Sequence, residues 1–212
     1  MTKVADIMIL NLLTILFSVP IITGGAAITA LYAAMLKLQA DEGTVWNNFW
    51  EAFKSNLKQA TGLWILTLVS GGLLGFSLVY YLGIGLQGAS WLMILGLLPL
   101  LLWGIVTAWI FPLQCKFYNT VKGTLHNALL LSIGYLPRSI LMMLLNLLPV
   151  ILLVVNPYLL LKFGAVLFLL YVGTAAWFNC KLLQKPLSVM IAQLENQEKA
   201  PEEIPEEVAE EA

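Results

Sequence analysis

The chain has 212 residues, of which 60% are apolar and 11% charged, against about 25% charged in soluble domains. With a mean hydropathy of +0.87, this composition excludes a water-soluble domain and predicts an all-α integral membrane protein. The formal net charge of −1 hides an asymmetry: eight of the twelve acids lie between Glu195 and Glu211, and the body before them carries ten bases against four acids. Such a body points to loops held on the cytoplasmic side, with the bilayer rather than nucleic acid as partner.

In chain order, the first feature is the uncharged run from Ile7 to Leu36. Crossing the hydrocarbon as a helix takes about 20 apolar residues, so the run is too long for one unbroken crossing. Asp6 at its start and its apolar character through Leu36 argue against a cleaved leader. Pro20 lacks an N–H and disfavours helical geometry at Val19, so a break is expected over Pro20, Thr23, Gly24 and Gly25. The pattern allows one broken crossing or two half-helices. Thr23 is placed to cap the second half, whose Ala26, Ala30 and Ala34 form a small-residue packing seam. The broken backbone could alternatively line a cavity.

After the polar turn Asp41-Glu42-Gly43, the stretch from Val45 to Ala60 places Trp46, Phe49, Trp50, Phe53 and Leu57 at spacings of three and four, with Lys54 and Lys58 off that face. This predicts an amphipathic elbow lying in the membrane interface or docking a partner. The 57 residues from Gln59 to Cys115 carry no charge and fit two spans, about 61–82 and 90–113, with a short turn between. Phe117, Tyr118 and Lys122 then repeat Phe49, Trp50 and Lys54 at an offset of 68. A second elbow followed by spans at about 139–155 and 157–180 would make an elbow–hairpin repeat. Arg138 is an interfacial anchor if its span begins at Pro137, and lies inside the membrane if the span begins at Leu129. Asn11, Asn146 and Asn179 read as interhelical hydrogen-bonding groups.

The expected architecture is therefore about five transmembrane helices, the first broken at Pro20 to Gly25, plus two amphipathic elbows. Residues 1–192 form one membrane domain, and 193–212 a disordered acidic tail. Lysine and arginine bias puts the elbows and the C-terminus on the cytoplasmic side of a multi-pass plasma-membrane protein. The N-terminus lies outside with five spans, or inside if the broken segment folds back.

The sequence offers no reaction centre. His126 is the single histidine, Cys115 and Cys180 read as reduced structural thiols outside any CxxC pair, and no Walker A or Rossmann glycine motif occurs. No catalytic residue, metal ligand or cofactor site is assigned, and an enzyme is not expected.

The run from Asn11 through Phe17 and Pro20 to Gly24, then Ala30-Leu31-Tyr32, Asp41-Glu42-Gly43 and the elbow from Phe49 to Ala60, resembles the YesL-like family of uncharacterised Gram-positive bacterial membrane proteins. The resemblance implies a protein of about five spans encoded beside carbohydrate ABC importers and their sensor systems, and carries over no catalytic residue. Two functions are compatible: an accessory or regulatory partner of a sugar permease or sensor kinase, docking through its aromatic elbows, and a small autonomous channel or facilitator for a polar solute at the Pro20 to Gly25 break.

Overall fold

The computed structural model describes residues 3–83, 90–117 and 120–199. Their regular elements are all helices: α1 (Lys3–Ser18), a 3₁₀ turn (Ile21–Thr23), α2 (Gly24–Gln39), α3 (Val45–Gly83), α4 (Ser90–Lys116), α5 (Val121–Gly134), α6 (Leu136–Val155) and α7 (Pro157–Lys199). Three stretches are long and apolar enough to cross a membrane: Ile21–Gln39, Val45–Tyr81 and Gly96–Lys116. The bent pair α5–α6 would add a fourth if it forms one span.

The run from Ile7 to Leu36 breaks where expected, but its halves do not continue as one crossing. They fold back as a hairpin. Lys3 Nζ lies 2.8 Å from Asp41 Oδ1, so the start of α1 and the end of α2 sit at the same face. Thr23 occupies the N-cap position of α2 but makes no side-chain capping bond. Its hydroxyl lies 2.6 Å from the Phe17 carbonyl and 2.8 Å from the Pro20 carbonyl, acceptors that an uninterrupted helix would have satisfied with backbone N–H groups. The polar turn after α2 is formed as read, with Asp41 (φ 58°) and Gly43 (φ 65°) left-handed and Asn48 Nδ2 donating to the Glu42 carbonyl at 2.8 Å.

α2 is the central helix, packed against α1, α3, α4 and α7. Its Ala26, Ala30 and Ala34 are wholly buried, as the small-residue seam requires. Closest approach is at Gly25, where a Cβ would lie 2.4 Å from Trp64 Cβ and 2.5 Å from the Ala60 carbonyl oxygen. Only glycine fits there. α7 closes on α1 in the same manner at Gly173, whose N–H donates to Asn11 Oδ1 at 2.9 Å.

The first elbow is not a separate element. Val45–Gly83 is one 39-residue helix. Nothing between Gln59 and Gly62 interrupts it, since Gly62 alone is a weak breaker and no proline intervenes. The second elbow is separate: α5 meets α6 at 108°. Pro137, in the first turn of α6, cannot give an N–H to the Ile133 carbonyl, and its ring crowds that position. The two halves of the repeat pattern thus differ in backbone path. The acidic segment begins as helix, since α7 runs on to Lys199, and residues 200–212 lie outside the described residues.

Candidate functional site

α2, α3, α4, α6 and α7 enclose a cavity of about 410 Å³. Its wall is mainly apolar, with Ile28, Leu31, Phe111, Met143 and Leu147 among the lining residues. The polar groups come from three helices. Asn179 of α7, wholly buried, uses its Nδ2 to donate to the Tyr32 hydroxyl (3.0 Å) and to Asn146 Oδ1 (2.9 Å). Tyr32 and Asn146 line the cavity, and Asn179 orients both from behind. Asn179 Oδ1 has no hydrogen-bond partner among the described residues.

Most other polar groups on the wall are occupied. Thr67 bonds the Trp64 carbonyl and Thr107 the Gly104 carbonyl, while the Trp64 and Trp103 indoles donate to the Ile21 carbonyl and Ser70 Oγ. Two prolines shape the remainder. Pro149 leaves the Leu145 carbonyl without its helical donor, and the Tyr171 hydroxyl supplies one. Pro112 does the same to the Ala108 carbonyl, and no side chain replaces that donor among the described residues.

The residues marked out from sequence lie elsewhere, and the structure divides them. Phe49 and Phe53 are buried, with the Phe17 ring centroid 5.8 and 4.9 Å from theirs, so the aromatic stripe packs on the end of α1 instead of facing outward. Trp46 (55% exposed) and Trp50 remain on the surface, with Lys54 Nζ 4.7 Å from the Trp50 ring and Lys58 exposed beyond it. Phe117 is half-buried beside a polar recess of about 190 Å³ lined by Lys37, Glu51, Asn56, Gln114 and Lys116; Lys122 is exposed, and Tyr118 lies outside the described residues. Pro20 is exposed and Thr23 half-buried. Gly24 and Gly25 are buried under Trp64, whose indole N–H bonds the Ile21 carbonyl at 2.7 Å.

Arg138 sits in the first turn of α6, at the bend, with its guanidinium carbon 5.5 Å from the Tyr135 ring centroid. It is half-buried, and its Nη1 has no hydrogen-bond partner among the described residues. α6 begins at Leu136 and is a candidate span only together with α5, with Arg138 at the bend of that pair.

Sequence reading missed Tyr32, Thr67 and Thr107, and treated Asn146 and Asn179 as packing groups only. The available signal was each proline's spacing from the carbonyl four residues earlier, together with polar residues in otherwise apolar helices.

Searches of curated proteins and of solved structures give no match. Residues 7–78, which span the α1–α2 hairpin and most of α3, match a family described as "Protein of unknown function, DUF624", the family to which the YesL-like proteins belong.

Proposed function

We propose that this chain is a non-enzymatic, multi-pass protein of the plasma membrane, with a cytoplasmic C-terminus, that serves as an accessory or regulatory partner of a carbohydrate ABC importer or its sensor system. The observation that carries the reading is the uncovered state of α3. Within its apolar window only 11% of residues are buried by the rest of the chain. Ile65, Val69, Gly72, Phe76 and Val79 recur along it at spacings of four and three, a ridge shaped to meet another helix, and Phe76 is 71% exposed. Trp46, Trp50, Lys54 and Lys58 extend this surface toward the charged face that carries Lys3 and Asp41. The importer or sensor as partner comes from the company that the family resemblance implies.

A photo-crosslinking amino acid placed at Phe76, and separately at Trp46, tests the proposal in native membranes. The expected result is an adduct with a sugar permease or a sensor kinase, lost when Trp46 and Trp50 are replaced by Ala. Adducts with lipid alone would overturn it. The channel reading has less support, because Trp64 fills the break on which it rested. Solute flux in liposomes holding the chain alone would revive it.

A further inference from the structure

We propose that the cavity between α2, α3, α4, α6 and α7 is a binding site for a neutral amphiphile, a single alkyl chain carrying a hydroxyl group, admitted sideways from the bilayer. Its volume of about 410 Å³ lies toward the small end of the 300–1,000 Å³ range typical of ligand sites, which suits one chain rather than two.

The chemistry of the wall selects the head group. No charged side chain among the described residues lines the cavity. A carboxylate or phosphate would be desolvated there without a counter-ion, at a cost that a hydroxyl does not meet. A hydroxyl finds both kinds of partner. Asn146 is exposed, its Oδ1 accepts from Asn179, and its Nδ2, which turns one hydrogen to the Tyr32 hydroxyl, keeps a second to donate. The Ala108 carbonyl, deprived of a helical donor by Pro112, is an acceptor belonging to a lining residue of α4. The contrast with Leu145 is informative: there the chain itself supplies a hydroxyl, from Tyr171, to the carbonyl that Pro149 frees. A bound alcohol would do for Ala108 what Tyr171 does for Leu145.

The entrance is defined by burial. Asn146, Leu147 and Val172 line the cavity and are exposed, and the neighbouring surface of α6, including Leu144, Leu148, Val150 and Ile151, is exposed and apolar. An opening in such a flank communicates with lipid rather than water.

The test uses the full chain in phosphatidylcholine liposomes with a diazirine-bearing hexadecanol, irradiated and mapped by mass spectrometry. Expected are saturable labelling of cavity residues on α4, α6 and α7, competition by hexadecanol, and competition weaker by about tenfold or more from hexadecyl phosphate. Asn146→Leu should reduce labelling several-fold, and Val172→Trp, which narrows the entrance, should reduce it further. Both positions are exposed, so a folded variant is expected, and the competition series on the unaltered chain stands independently of them. Labelling that does not saturate and spreads along the outer face of α3 would overturn the proposal. So would equal competition by hexadecyl phosphate, or labelling indifferent to both substitutions.

Discussion

α3 and the α5–α6 pair answer the same local pattern in opposite ways. In sequence the aromatic-and-lysine stretch opens α3 and leads into α5, and both units are tied to α4 by a tryptophan N–H donating to a serine hydroxyl: Trp103 to Ser70 and Trp109 to Ser139, each at 2.8 Å. Ser70 Oγ turns back on its own helix, 2.7 Å from the Leu66 carbonyl. Ser139 Oγ instead reaches across the bend, 3.0 Å from the Ser132 carbonyl of α5 and 3.0 Å from that of Tyr135. The difference begins at one residue. The position matching Pro137 at the offset of 68 is Val69, which donates its N–H and lets α3 run straight. Proline ends one helix, and a serine just beyond it donates to carbonyls of α5 and of the bend as a staple. A repeated pattern therefore specifies a surface stripe without specifying the path of the backbone under it.

The largest expected effect is on the staple's support. Trp109 is wholly buried, and Trp109→Ala should lower stability by about 3–5 kcal/mol, read as unfolding in mild detergent. The same change at Trp103, which is only partly buried, should cost less, and equal losses would break the comparison.

Next comes transplantation of the breaker. Val69→Pro should cost about 3 kcal/mol and kink α3 by more than about 20°, measured by spin-label distances between its two ends. A bend approaching the 108° of α5–α6 would mean that proline alone suffices and that Ser139 contributes little.

Ser139→Ala tests that contribution directly. It leaves the Trp109 N–H buried without an acceptor, for a loss of about 1–3 kcal/mol, and should broaden the α5–α6 distance distribution. Unchanged distances would assign the bend to Pro137 alone.

The smallest effect is expected on the uncovered face of α3. A Cβ at Gly75 would meet nothing within 4 Å, so Gly75→Ala should stabilise the chain by about 0.5–1 kcal/mol through helix propensity. A loss instead would show that Gly75 is a contact in an assembly.

The helices themselves were legible in the sequence, because apolar runs and prolines act locally. The break at Pro20, the turn at Asp41–Gly43 and the starts of α4 and α7 fall where those signals put them. The choice of a reversal of α1 on α2 over one broken crossing was not legible, since it is seen in Lys3 meeting Asp41, a contact between distant segments. The stripe of Phe49 and Phe53 was correctly seen as one apolar face. What covers it is Phe17, and no periodicity within 45–60 encodes that. The cavity was hidden for the same reason: its polar groups, Tyr32, Asn146 and Asn179, come from three helices and acquire meaning only when brought together.

The α1–α2 hairpin has a consequence for how the chain is assembled during synthesis. Its ionised residues, Lys3 and Asp6 on one arm and Lys37 on the other, with Asp41 just beyond, gather at one end, while the tip from Val19 to Thr23 is uncharged, with Val19, Ile21 and Ile22 exposed. A pair so arranged can be threaded tip first into the hydrocarbon from the side where translation occurs, with no ionised group carried through. Each arm is sixteen residues, about 24 Å of helix, so the two are matched in length for such an entry.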